Sequence, residues 1–149
     1  MADVSERRLN FRLRFCSVPK RILIADDHES VLRRVRAMLE ADPSWEVCGD
    51  AVDGRDAIEK ATKLQPDLVI LDFAMPRLNG LEAASRIKSL LPRVPIVMFT
   101  IYASQVKSDV ANICRVVDKA QSQTLIPALK ELLGVGLPKG ADAPIHHAH

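Results

Sequence analysis

Five short, mainly apolar stretches recur along the chain, and each is bounded by polar or turn-forming residues. Stretches of this kind are typical of strands that are covered on both faces of a parallel sheet. The clearest one, at 68–71, ends abruptly in Asp72, and Met75-Pro76 and Asn79-Gly80 then predict an irregular loop and a turn. The pattern predicts five strands, at residues 21–25, 45–51, 68–71, 94–99 and 113–117.

Between these stretches the apolar residues adopt the three- and four-residue spacing of a helix face. After the fourth stretch only residues 104–110 can form a helix, and that helix must be brief. Asp53 is a plausible cap for the second helix, and Thr124 for the last one, which would place Pro127 in a first turn. The other apolar faces comprise residues 31, 32, 35, 38 and 39; 57, 58, 61 and 64; 81, 84, 87 and 91; and 125, 129 and 132.

The regular alternation of strand and helix is the pattern of an open α/β sheet. Right-handed crossovers would place helices on both faces of a parallel sheet. The predicted fold class is therefore α/β, with helices on either side of one sheet and a shortened fourth helix.

Polar side chains follow most of the predicted strands at the point where each strand ends. The first strand ends in Asp26-Asp27, the third in Asp72, the fourth in Thr100 and the fifth near Lys119. Singly, each could be a helix cap, a turn former or a surface cation. If the strands are parallel, all of them meet at one edge, where such sheets bind ligands. Crowded carboxylates favour Mg²⁺, a hydroxyl and an ammonium suit phosphate oxygens, and Asp72 could be a nucleophile towards phosphorus.

Length and composition suit one globular domain, since 149 residues are 48% hydrophobic and 27% charged. No apolar run approaches the roughly 20 residues that span a membrane. The N-terminus lacks the apolar core of a signal peptide. Three cysteines have no metal-ligand spacing, and Cys48 and Cys114 are expected to be buried thiols, which favours a reducing cytoplasm.

The net charge of +2 is concentrated at the N-terminus. The first 20 residues hold five Lys/Arg against two acids, which leaves 16 basic against 17 acidic residues, or −1, in the rest. A nearly neutral body does not favour nucleic-acid binding. We expect a basic N-terminal extension at 1–19, a folded domain at 20–133 and a flexible C-terminal tail at 134–149.

Across roughly residues 20–133 the chain resembles the receiver domain of two-component response regulators. The motifs that carry the resemblance are Ile24-Ala25-Asp26-Asp27-His28, Leu71-Asp72-Phe73-Ala74-Met75-Pro76 with Gly80, Thr100 after Val97-Met98-Phe99, and Lys119 after Val116-Val117-Asp118. The resemblance implies a flavodoxin-like (βα)5 fold, a three-layer sandwich with parallel strand order 2-1-3-4-5. It also implies a phosphorylation-switched bacterial signalling protein, and the short segment after the last helix favours a stand-alone receiver.

The same resemblance implies a role for each site residue. Asp72 would accept a phosphoryl group from a histidine kinase or histidine phosphotransfer protein. Asp26, Asp27, Asp72 and the backbone carbonyl of Ala74 would hold Mg²⁺. Thr100 and Lys119 would contact the phosphoryl oxygens, so that the loop after the fourth strand shifts between two arrangements.

Several positions depart from the family pattern. The aromatic switch residue usual in the family is replaced by Val116, and Ala120 stands where proline usually follows the lysine. The segment from Thr100 to Lys119 is shorter by about one helical turn, which affects the family's common output and homodimer surface. Tyr102 either lies over the phosphorylation site and restricts water or simply packs on its loop. His28 either ligates the metal or begins the first helix.

Other functions remain open at this point. After the last helix the chain is too short for a DNA-binding output domain, so signalling would run through contact with an unknown downstream protein, or the chain is a fragment. A degenerate receiver would act as a constitutive binding module. An aspartyl-phosphate hydrolase of the haloacid dehalogenase type needs a second acid where Ala74 stands, and no glycine-rich nucleotide loop follows any strand. A phosphoacceptor signalling domain, not an enzyme, is the leading hypothesis.

Overall fold

The computed structural model describes residues 18–107 and 112–134. Five parallel strands form one sheet in the order β2-β1-β3-β4-β5, which confirms the predicted order. The strands are β1 (Lys20–Ala25), β2 (Trp45–Ala51), β3 (Leu68–Leu71), β4 (Ile96–Thr100) and β5 (Arg115–Asp118). β3 is central and buried at every position, as its uniformly apolar sequence predicts.

Within the described ranges four α-helices cover the sheet: α1 (Glu29–Glu40), α2 (Gly54–Leu64), α3 (Gly80–Leu90) and α4 (Leu125–Leu133). α1 and α4 pack on one face, where the sheet side chains include Ile22, Ile70 and Phe99. α2 and α3 pack on the other face, against Leu23 and Leu71 among others. The three-layer flavodoxin-like sandwich is therefore confirmed. No helix in the described ranges is long and apolar enough to cross a bilayer.

The fourth crossover differs most from a regular α/β unit. A brief helix was predicted at 104–110. The described part of this segment contains one 3₁₀ turn, Ala103–Gln105, and residues 108–111 lie outside the described ranges. Val106 and Ile113 are nevertheless buried and join the core on the α2–α3 side of the sheet. The crossover thus keeps its apolar contacts, while its described part contains no α-helical turn.

Two local predictions are wrong. Thr124 does not cap α4: its hydroxyl donates to the Gln121 carbonyl at 2.8 Å, because a 3₁₀ helix, Lys119–Thr124, already leads into α4. Cys114 is exposed and Cys48 only partly buried. Both cysteines lie in or beside the edge strands β2 and β5, where one side of the strand has no neighbour. The limits proposed for the terminal extensions stay predictions, because residues 1–17 and 135–149 lie outside the described ranges.

Candidate functional site

Two buried carboxylates leave the sheet side by side where β1 and β3 end. The two strands pair in register with Ala25 opposite Leu71, so the next residues, Asp26 and Asp72, emerge at the same edge. The Asp72 N–H donates to the Ala25 carbonyl at 3.0 Å, which extends the ladder to the carboxylate itself. Each aspartate is only 3% exposed. Two buried like charges are unfavourable unless cations or hydrogen bonds compensate them.

Lys119 supplies part of that compensation from the end of β5. Its Nζ lies 2.5 Å from Asp26 Oδ2 and 3.5 Å from Asp72 Oδ2, and its side chain is 9% exposed. One ammonium therefore faces two buried carboxylates. The pair of aspartates keeps an excess of negative charge.

A third carboxylate and an imidazole lie at the mouth of the site. The His28 Nδ1 is 3.1 Å from both Asp26 Oδ1 and Asp27 Oδ1, and the His28 backbone N–H donates to Asp26 Oδ1 at 2.8 Å. The Asp27 side chain is partly exposed, and that of His28 is mostly exposed. His28 directly precedes α1, so it begins that helix and also lies against the carboxylates.

The acidic cluster has the chemistry of a divalent cation site. One ligand atom from each of Asp26, Asp27, His28 and Asp72 lies within 4.8 Å of the others. Mg²⁺ prefers oxygen ligands and is commonly held by one or two carboxylates together with water. Three mutually repelling carboxylates near a single ammonium fit such an ion, because its charge would offset theirs. Ala74 lines the same cleft as Asp27 and Asp72. The residues at this edge of the sheet therefore fit a Mg²⁺ ion.

The pKa of Asp72 is raised above its usual value, first because the carboxyl is buried and then because Asp26 carries a like charge nearby. Lys119, the Thr100 hydroxyl and the Phe73 backbone N–H act in the opposite direction. The Phe73 N–H donates to Asp72 Oδ1 at 2.8 Å. The ionised form of Asp72 is therefore costly in the free protein, and an added cation would stabilise it.

Thr100 ends β4 and is fully buried. Its Oγ1 accepts a hydrogen bond from the Tyr102 backbone N–H at 3.1 Å. The Tyr102 ring packs on Phe73 with ring centroids 6.1 Å apart and planes inclined by 59°. This aromatic pair, Phe73 and Tyr102, joins the loop after β3 to the loop after β4. Of the two roles considered for Tyr102, packing on a loop is observed, and its side chain also lines the cleft.

Gly80 holds the loop after β3 close to the end of the strand. A Cβ at this position would lie 2.1 Å from the Asp72 carbonyl oxygen, so only glycine fits without movement of the backbone. The Gly80 N–H donates to the Phe73 carbonyl at 2.8 Å, and Asn79 caps α3 by accepting from the Glu82 N–H at 2.9 Å. The turn predicted from Asn79-Gly80 therefore packs directly against the Asp72 backbone.

The loop after β3 also contacts the start of α2, and no local sequence pattern predicts this contact, which is called the brace below. Arg77 adopts a left-handed backbone, φ 67°, and its guanidinium lies 3.1 Å from Asp53 Oδ2. Asp53 caps α2 as predicted, accepting from the Asp56 N–H at 2.8 Å. A Cβ on Gly54 would lie 2.2 Å from the Leu78 carbonyl oxygen. The loop thus packs against the start of α2. The two segments are distant in the sequence, so this packing is visible only in the structure.

The structure brings every sequence-predicted site residue to one edge of the sheet. Asp27, Asp72, Ala74 and Lys119 line an open cleft of about 420 Å³. Asp26 and Thr100 are buried. Asp26 contacts Lys119, and Thr100 lies at the end of β4. Phe73 and the brace are the additions that sequence reasoning missed.

Comparison with known proteins identifies the class of protein that this fold and site define. The sequence model of the response regulator receiver domain matches residues 22–126, and the chain therefore belongs to this family of two-component signalling domains. A protein-glutamate methylesterase/protein-glutamine glutaminase of Nocardioides sp. is 42% identical over 80 residues, which are 54% of this chain and 22% of that protein. The response regulator protein VraR of Staphylococcus saprophyticus is 39% identical over 85 residues, 57% of this chain and 41% of VraR.

A CheY-like receiver domain protein from Methanospirillum hungatei has a similar solved structure. Its TM-score is 0.71 at 28% identity, over 78% of this chain and 94% of that one. The chain spans less than half the length of the two curated relatives, so their likeness concerns the receiver domain. Receiver domains bind Mg²⁺ at an acidic pocket, and in this chain Asp26, Asp27 and Asp72 form a cluster of carboxylates at the edge of the sheet.

Proposed function

We propose that Asp72 accepts a phosphoryl group from a histidine kinase or a histidine phosphotransfer protein, and that the modified receiver signals by protein contact. The observation that carries this proposal is the position of Asp72, which lies beside Asp26 and Asp27 and within reach of the Lys119 ammonium. Its carboxylate is buried 3.5 Å from an ammonium and opens onto a cleft. Signalling as a receiver, not turnover of a substrate, is the expected activity.

In the proposed transfer, a carboxylate oxygen of Asp72 forms a bond to phosphorus. The bond from phosphorus to the imidazole nitrogen of the donor phosphohistidine breaks, and its electron pair stays on that nitrogen. Lys119 faces the position where the new phosphoryl oxygens develop charge. Thr100 offers a hydroxyl to the same oxygens. Positioning and charge stabilisation therefore account for the contribution of these side chains.

Asp26, Asp27, Asp72 and the backbone carbonyl of Ala74 are the proposed Mg²⁺ ligands. When bound, the ion neutralises the phosphoryl oxygens and the carboxylates together. Phosphorylation adds about −1.5 to −2 charge. The three carboxylates and one ammonium of the cluster do not balance that charge by themselves. Transfer to Asp72 should accordingly depend on the divalent cation.

A second candidate function, a phosphorylation-independent binding module, is favoured by one feature. Val116 replaces the usual aromatic residue, and the described part of the β4–β5 crossover contains only a 3₁₀ turn. In that case the acidic site would persist without driving any change of surface. The two functions differ in whether the chain takes a phosphoryl group at all.

Intact-mass spectrometry after incubation with acetyl phosphate and Mg²⁺ tests the proposal. The wild type should gain the mass of one phosphoryl group, and chelation of Mg²⁺ should abolish the gain. Asp72→Asn is the key variant. Asp50→Asn is the matched control, since Asp50 lies on the outer strand β2 and pairs with Arg36 of α1. A wild type that stays unmodified under conditions in which its fold is intact would favour the binding module.

A further inference from the structure

Val116 stands where the family usually has an aromatic switch residue, and valine has no ring that could rotate when the site changes. It lies in β5, partly buried, and packs on the core that α2 and α3 cover. Valine has a stiff, branched side chain without a polar end. Any change at Thr100 must therefore reach the surface through other neighbours.

Thr100 has such a neighbour in Tyr102. The Tyr102 N–H donates to Thr100 Oγ1, and the Tyr102 ring packs on Phe73. Phe73 in turn donates its N–H to Asp72 Oδ1. The Thr100 hydroxyl also lowers the pKa of Asp72, which places it beside that carboxyl. Contacts therefore run from the proposed acceptor carboxylate through Phe73 and Tyr102 to the buried Thr100 hydroxyl.

We infer that the aromatic pair is the element that converts the state of Asp72 into a change of surface, an inference that rests on the proposed function. The hydrogen bond from Tyr102 to Thr100 is 3.1 Å long, near the upper end of the usual range. The Thr100 hydroxyl, which accepts the Tyr102 N–H on an oxygen lone pair, donates its own hydrogen to phosphoryl oxygens on Asp72. Because charged acceptors form the stronger hydrogen bonds, this donation draws Oγ1 towards Asp72 and away from the Tyr102 N–H. Tyr102 then loses its anchor, and its ring leaves Phe73.

The result is a rearranged apolar surface beside the cleft. Ile101 is 65% exposed and Tyr102 is 38% exposed, so both side chains are accessible to a partner protein in the unmodified state. Release of Tyr102 would uncover the face of Phe73 that it now covers. The β3 and β4 loops, rather than β5, would therefore present the signal.

The chain allows this inference to be tested at one atom, because Tyr102 is its only tyrosine. Protein labelled with 3-fluorotyrosine should give one ¹⁹F resonance. We expect acetyl phosphate and Mg²⁺ to move that resonance by more than its linewidth, while intact mass on the same sample records the phosphoryl adduct. An adduct without a shift would overturn the inference and leave the proposed function standing. The absence of an adduct would contradict both.

Two variants separate the aromatic pair from a general loosening of the loop. Phe73→Leu removes the ring that Tyr102 contacts. In this variant the ¹⁹F resonance of unmodified protein should already lie towards the phosphorylated position, and phosphorylation should move it little further. Ile101→Val, a change at the exposed neighbour, should keep the wild-type response. If Phe73→Leu forms the adduct and responds like the wild type, the aromatic pair is not the switching element.

Discussion

Lys119 and Asp26, 93 residues apart in the chain, form a buried ion pair with 2.5 Å between Nζ and Oδ2. The same ammonium is 3.5 Å from Asp72, so in the free protein it lies closer to Asp26 than to the proposed acceptor. An ammonium and a divalent cation would therefore compete for the charge of Asp26.

Replacing Lys119 by Met should strengthen Mg²⁺ binding. Removal of a cation 2.5 Å from the Asp26 carboxylate lowers the competition for its charge. We expect a gain of about tenfold in affinity, which corresponds to roughly 1.4 kcal/mol. Isothermal titration calorimetry with Mg²⁺ measures the change. Lys119→Arg keeps the positive charge and serves as the control. Equal affinities for the wild type and Lys119→Met would contradict the competition.

Asp72→Asn should raise the stability of the metal-free protein at neutral pH. The folded-state pKa of Asp72 is raised, so the native state binds the proton more tightly than the unfolded chain does. Stability is then lost as the pH rises from about 3.8 through the folded-state pKa, and the loss is complete above it. Asparagine removes this loss. Its advantage should be greatest at neutral pH and shrink as the medium is acidified.

Urea unfolding at several pH values checks this, with the fluorescence of the buried Trp45, the sole tryptophan, as the signal. Glu46→Gln, at an exposed position on β2, is the matched control and should show no comparable pH dependence. Mg²⁺ should stabilise the wild type more than Asp72→Asn. A variant that is less stable than the metal-free wild type at pH 7 would count against a costly buried carboxylate.

Gly80→Ala should disturb the site through the backbone. Its Cβ would lie 2.1 Å from the Asp72 carbonyl oxygen, which cannot rotate away as a side chain can. Overpacking of this kind costs about 1–3 kcal/mol. Gly49→Ala is the control, because its Cβ meets the flexible Leu64 side chain at 2.8 Å. Chemical denaturation should show a clearly lower free energy of unfolding for Gly80→Ala than for Gly49→Ala. Similar losses of stability in the two variants would contradict the close approach of Gly80 to the Asp72 carbonyl.

The sequence allowed much of this arrangement to be predicted, because strand ends are visible as abrupt changes from apolar to acidic residues. Asp26 and Asp72 could be placed at one edge once the strands were taken as parallel. The strand order required the resemblance to receiver domains, since periodicity alone does not say which strands are neighbours. Asp53 was predicted as a cap because capping depends on residues only three positions apart.

What could not be predicted depends on contacts between distant segments. The ion pair of Arg77 with Asp53 and the packing of Tyr102 on Phe73 join loops that no local pattern connects. The exposure of Cys114 follows from its place beside an edge strand, which the apolar character of its surroundings conceals. The 3₁₀ helix before α4 replaced the cap expected of Thr124, since the preceding backbone was already helical.

The central claim is that Asp72 is the phosphoacceptor, and chemical trapping tests it most directly. Borohydride reduces an aspartyl phosphate to homoserine, so treatment of the acetyl phosphate–modified protein followed by peptide mass spectrometry identifies the modified residue. The account predicts homoserine at position 72 and unmodified aspartate at positions 26 and 27. Homoserine at either of those two positions, with Asp72 unchanged, would contradict it.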